Sequence, residues 1–200
     1  MDIHSLAPRY GDNYKIGYIG FSFNDASVVS HGIAYLTRWT RMGAVKVSHA
    51  LVVAGDGVCV EAQVEKGVVE QSLDRCFDDP HEHLFFRKPR GYTSVIGARI
   101  AAVARGQVGA GYDHLLIAAQ AMQGCFLGRW VRAVFGDRPD EAVSRLLNDP
   151  NKWICSELAA YALDSQPEYR DKGVLIKPDF TIDPQELFED AELFCDWQDR

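Results

Sequence analysis

Hydrophobic residues run along this chain in two rhythms. The first half is dominated by short valine-rich stretches, and the second by apolar residues at helical spacing. The segment "KIGYIGFSF" (15–23) predicts a strand. "NDASVVSHGIAYLTRWTRM" (24–42) predicts a helix with Asn24 or Asp25 as its cap and Val29, Ile33 and Leu36 on one face. The stretch from Val45 to Leu73 predicts a hairpin interrupted by "AGDGV" (54–58), then a further strand at 67–72. "HLFFRKP" (83–89) predicts another strand, ended by Pro89. Helices are expected at 93–109, 112–136, 138–148, 153–163 and 183–190, the last with an Asp183 cap and Pro184 in its first position. Residues 171–182 are expected to form a short strand and a loop. Strands gather early and helices late, which predicts an α+β fold with a mainly antiparallel sheet packed against helices.

Two hundred residues, 47% of them hydrophobic, suit a single domain with a substantial core. A net charge of −7 disfavours a nucleic-acid partner, because phosphate binding requires a basic surface. Arg129, Arg132 and Arg138 are interleaved with Asp137, Asp140 and Glu141, the pattern of a solvated helix face. Cys59, Cys76, Cys125, Cys155 and Cys195 are odd in number and form no C-x-x-C pair, which argues against a disulfide framework or a zinc ribbon. The opening "MDIHSLAPRYGDNYK" lacks a signal-peptide pattern, and the most apolar run, "HLLIAAQAMQGCFLG", is too short and polar to span a bilayer. A soluble protein of a reducing, cytoplasmic compartment is the expectation, with leaderless export left open.

Two segments carry candidate chemistry. Strand alternation places Val47, His49, Leu51 and Val53 on one face, so one imidazole sits among apolar neighbours. If "GDG" (55–57) is a three-residue loop with Gly57 left-handed, Ala54 pairs with Val58, Leu51 with Glu61 and His49 with Gln63. Glu61 and Gln63 then share the face of His49, where either could hold one ring nitrogen and leave the other free for catalysis. A two-residue turn would shift the register and turn Glu61 away. A core histidine satisfied by a carbonyl is the competing reading.

In "WICSELAAYAL", Cys155, Leu158, Ala159 and Ala162 form an inward stripe. Asp149, Pro150 or Asn151 is expected to set the helix start, leaving Cys155 near unpaired backbone N–H groups that favour a thiolate. Core filler is the alternative there, and it is the better reading for the other four cysteines.

Taken in order, "SHALVV", "VCVEA", "GAGYD", "WICSELAAYAL" and "KPDFTIDPQEL" resemble the circularly permuted papain-like cysteine hydrolases of the NlpC-type peptidase superfamily, in particular the YiiX/YaeF-like branch. In that branch the histidine strand precedes the cysteine helix, as here. The Gly-Asp pair that commonly leads the family is replaced by Ile19-Gly20-Phe21. The resemblance covers about residues 17–190, and 113–148 stands out as an expected helical insertion. It implies Cys155 as nucleophile, His49 as general base, Glu61 as the residue orienting it, and Tyr112 lining the site; Gln63 is the further expected substrate-side residue. It also implies a covalent acyl-enzyme formed from an amide, ester or thioester, a small-molecule, peptide or lipid acyl substrate, and no metal or organic cofactor. The alternative is a catalytically silent binding or interaction module on the same fold.

The remaining candidates are weaker. "HEH" (81–83) reads as a surface loop rather than a metal site. His31 reads as structural or exposed, His114 could line the cleft, and Asp113 reads as a helix cap. The glycines of "GYIGFSF" do not form a nucleotide-binding pattern.

Overall fold

A computed structural model describes residues 8–27, 30–31, 45–113 and 152–196. Five strands form one antiparallel sheet in the order β4-β3-β2-β1-β5. They are β1 (Ile19–Asn24), β2 (His49–Gly55), β3 (Val58–Gln63), β4 (Gly67–Ser72) and β5 (Glu82–Arg87). Two short strands, β6 (Gly111–Tyr112) and β7 (Lys152–Trp153), pair in parallel. The described α-helices are α1 (Asp74–Phe77), α2 (Ser94–Arg105), α3 (Cys155–Asp164) and α4 (Pro184–Glu189). The architecture is α+β, as the segregation of strands and helices predicts.

Both faces of the sheet are covered. On one, Phe21, Ala50, Val52, Val60 and Ala62 pack with Ile100 and Ala104 of α2, Leu158 and Ala162 of α3, and Leu187 and Phe188 of α4. The other carries Leu51, Val53 and Cys59 under Tyr14, Tyr18 and Leu73. The period-two alternation of β2 thus feeds two cores at once, which is why its sequence reads as a nearly continuous apolar run. Val47 precedes the strand and joins the helix-side core, not the face of Leu51 and Val53 that alternation assigned to it.

The hairpin solves its register in an unexpected way. Gly55 pairs with Val58 across the two-residue turn Asp56–Gly57, with Gly57 at φ 63°. The expected Ala54–Val58 pair does not form. A bulge between Val53 and Gly55 inserts one residue, and beyond it Val53 pairs with Cys59 and Val52 with Val60. This is the register a three-residue loop would set. Turn and bulge each shift the pairing by one, and the shifts cancel, so the two-residue turn does not turn Glu61 away.

Other elements depart from the sequence expectations. β1 starts at Ile19 because Gly17 adopts φ 81° with its α-carbon pressed on the Gly97 backbone, where a β-carbon would lie 2.3 Å from Gly97 Cα. After β1, Ser30 N–H donates to Ser27 Oγ (3.3 Å) and His31 N–H to the Ser27 carbonyl (3.0 Å), while most of the helix expected at 24–42, with Val29, Ile33 and Leu36, lies outside the described residues. Asn24 ends β1, its Oδ1 accepting from Ala26 N–H. Tyr112, expected in a helix, lies in β6 opposite Trp153. The stretch 171–182 holds two 3₁₀ turns, Gly173–Ile176 and Asp179–Thr181, and no strand; Asp190 Oδ2 captures Val174 N–H at 2.7 Å in place of a ladder bond. α2 and α4 carry the expected caps, Thr93 Oγ1 accepting from Ile96 N–H and Asp183 Oδ1 from Glu186 N–H. The expected helices at 112–136 and 138–148, the insertion, Cys125 and His114 lie outside the described residues. Among the described residues no helix is long and apolar enough to cross a membrane.

Candidate functional site

The site assembles where α3 meets the start of β2. Trp153 is in β7, Ile154 is the extended residue ahead of the helix, and Cys155 is the first helical residue. Isoleucine has no side-chain acceptor, so the cap comes from the other direction: Glu157 Oε2 accepts from Ile154 N–H at 3.3 Å. The helix therefore begins at the cysteine itself, with Ile154 as its cap, and not at the Asp149–Asn151 cluster. Cys155 is buried, and backbone N–H groups of Ala50 and Ser156 hydrogen bond to its sulfur.

His49 reaches this sulfur from the first position of β2, held on the β1 side by pairing with Ser22. Its Nε2 is bonded to Glu61 Oε2, which leaves Nδ1 as the ring nitrogen for the Cys155 hydrogen bond. The His49 side chain keeps 26% of its surface exposed, whereas that of Glu61 keeps 1%. The chain just ahead of His49 is pinned by Gln185 of α4. That fully buried amide accepts from Val47 N–H and donates to the Val45 carbonyl, both at 3.0 Å, as a neighbouring strand would.

The charges reinforce one another. Burial alone would lift the Cys155 thiol and depress the His49 imidazolium. Instead the thiol is held below its ordinary value: burial is outweighed by the His49 charge, the His49 hydrogen bond and the two backbone N–H groups. His49 is held well above its ordinary value, burial being outweighed by Cys155 and Glu61. Glu61 is held down at about 2, its burial overcome by His49, Arg75 and Gln71. A thiolate–imidazolium pair backed by a buried carboxylate is the state these interactions favour.

The other expected residues fall nearby in different roles. Tyr112 is buried beside Cys155, and its phenol is pushed upward by burial, by Cys155 and by Asp113. It is therefore a neutral wall of the sulfur's surroundings. Gln63 donates to Glu61 Oε1 at 3.4 Å, so it supports the carboxylate. Asp113 is buried, and its N–H donates to the Trp153 carbonyl at 3.2 Å.

Two members of the cluster escaped the sequence reading: Gln71 of β4 and Arg75 of α1, both bonded to Glu61 Oε1. Gln71 was discoverable, since it pairs with Cys59 in the ladder and so shares the Glu61 face. Arg75 was not, because α1 is one turn of helix with no periodicity to read.

The remaining candidates stay apart from the site. His81 Nδ1 and His83 Nε2 bond the two oxygens of exposed Asp25, at 2.8 and 3.4 Å, and His31 Nε2–H donates to the Asp25 carbonyl. Among the described residues no group of three or more His, Cys, Asp or Glu is arranged to hold a metal ion. Cys59, Cys76 and Cys195 are free thiols; burial pushes Cys76 up to about 12 and Cys59 higher still. No family model, curated protein or solved structure gives a significant match to the chain.

Proposed function

We propose that this protein is a cysteine-dependent hydrolase or acyltransferase on a permuted papain-like α+β fold, with Cys155 as nucleophile, His49 as general acid and base, and Glu61 as its orienting carboxylate. The observation that carries the reading is the convergence on Cys155 of a hydrogen-bonded imidazole and two backbone N–H groups, while three of the other cysteines are ordinary buried or half-buried thiols. The order of histidine strand before cysteine helix, and the resemblance described above, support the same reading.

In this mechanism the Cys155 thiolate attacks the carbonyl carbon of an amide, ester or thioester, and the carbonyl π pair moves to oxygen. First-turn N–H groups of α3, which have no carbonyl partner within the helix, are the donors available for that developing charge. The oxygen lone pair then re-forms the carbonyl as the bond to the leaving group breaks, and the leaving group takes the proton of the His49 imidazolium. What remains is a Cys155 thioester and a neutral imidazole. Water, or an acceptor nucleophile in acyl transfer, gives its proton to His49 as it attacks the thioester, and the thiolate is expelled to restore the starting ion pair.

The test is stoichiometric acylation. A short-chain p-nitrophenyl ester should give a burst of one p-nitrophenol per chain, and peptide mass mapping should place the acyl group on Cys155. Cys155→Ala should remove both signals. A burst that survives this substitution, or an acyl group found on another cysteine, would overturn the assignment.

A further inference from the structure

Glu61 is the most crowded acceptor in the described structure. Oε2 serves His49, while Oε1 receives the Arg75 guanidinium, the Gln71 amide, the Gln63 amide at 3.4 Å and the Cys59 thiol at 3.9 Å. Orienting a histidine requires one acceptor atom. Four donors on the oxygen that faces away from His49 do something else: they fix the plane of the carboxylate and draw its charge toward Oε1. Among these donors only Arg75 is charged. It comes from α1, its side chain 40% exposed, and reaches inward to a carboxylate that is almost fully buried.

We propose that Arg75 is a positioning residue for this site: by pairing with Glu61 Oε1 it holds the carboxylate in the one orientation that presents Oε2 to His49, and it balances the carboxylate charge. The proposal rests on the thiol-enzyme reading of Cys155 and His49. With Arg75 in place the four charges of the cluster sum to zero: Arg75 and His49 positive, Glu61 and the Cys155 thiolate negative. Without it a net negative charge remains beside both reacting groups. The other groups facing this cluster do not compensate, since Cys59, Cys76 and Tyr112 are held protonated, Gln63 and Gln71 are neutral, and Asp113 beside Tyr112 is itself an acid.

A loss of positive charge has the same sign of effect on both titrations. It makes the thiolate harder to form and the imidazolium harder to discharge. The rate of Cys155 alkylation by iodoacetamide, followed residue by residue with peptide mass mapping between pH 4 and 10, reads both limbs. In Arg75→Met both limbs should move to the alkaline side by about half to one pH unit, the size of a unit charge removed at this range in a partly solvated site. Arg75→Lys, which keeps the charge, should restore most of the shift. Arg75→Gln removes the charge but keeps a donor, and it reads the same shift if the methionine variant does not fold. Limbs that stay in place in the uncharged variants would overturn the proposal, because an arginine of merely structural value does not set these titrations. Failure of the underlying reading looks different. Wild-type Cys155 would then alkylate no faster than an ordinary thiol at neutral pH, whatever occupies position 75.

Discussion

Glu157 should make this protein less stable as the pH rises, and its replacement by glutamine should remove that loss. The carboxyl is buried in the first turn of α3, where its oxygen accepts the Ile154 N–H. Burial, opposed only in part by that hydrogen bond and reinforced by Asp113 and Asp179, pushes it up to about 8 from an ordinary 4.5. A carboxyl raised on folding leaves stability intact below its unfolded value and removes it as pH climbs toward its folded value. The interval is about 3.5 pH units, and each unit is worth about 1.4 kcal/mol, so the loss approaches about 4–5 kcal/mol by pH 8 and about 3 kcal/mol at pH 7. Glutamine has the same shape, keeps an oxygen for the Ile154 N–H and does not ionise. Urea unfolding of wild type and Glu157→Gln at pH 4.5, 7 and 8.5 isolates the effect. Asp179, itself raised to about 7 by burial and by Asp164, contributes its own slope to both proteins. The variant should gain on the wild type steadily across the series. A stability difference that is constant with pH would refute the argument, since it would mean that Glu157 titrates alike in the folded and unfolded chain.

Glu61 should show the opposite dependence. Held at about 2 in the fold, it contributes stability above about pH 4.5 that disappears as the pH falls through 2, so the advantage of wild type over Glu61→Gln should shrink by about 2 kcal/mol between pH 5 and pH 3, measured by urea unfolding. Gln185→Ala should cost about 2–4 kcal/mol, because it strands the Val47 N–H and the Val45 carbonyl, and Gln185→Leu should not restore it; a cost under about 0.5 kcal/mol in the same assay would show that water replaces the amide.

What was legible in the sequence was what local chemistry decides. Asp183 and Pro184 announce α4 because a cap and an N1 proline act within four residues. Strand alternation makes a shared face for His49 and Glu61 legible, but the register that delivers it comes from a two-residue turn and a bulge and not from the three-residue loop expected. The pieces that were not legible are those fixed from a distance. Tyr112 becomes a strand residue only through Trp153, some forty positions away, and nothing local to Gly111 and Tyr112 signals it. The start of α3 is not legible locally, because the capping group lies inside the helix, on Glu157, whereas Asp149 and Asn151 look locally stronger. The 3₁₀ turns after Gly173 depend on the Asp190 carboxylate, 16 residues beyond the N–H it captures. The donors around Glu61 needed a third strand and a short helix to be folded against it before their side chains could meet.

The bulge at the tip of the hairpin has a consequence for how this chain can vary. His49 and Glu61 stand twelve positions apart, and everything between them is strand or turn. Side chains alternate along both strands, so the meeting of imidazole and carboxylate depends on the register, which the turn and the bulge set together. A single insertion or deletion within either paired strand would send the imidazole or the carboxylate to the opposite face of the sheet unless a further bulge absorbed it, whereas a change of length at Asp56 is taken up by the combination of turn and bulge. Paired insertions would extend the hairpin and leave the meeting intact. The loop is thus tolerant in length but held to a left-handed residue at Gly57.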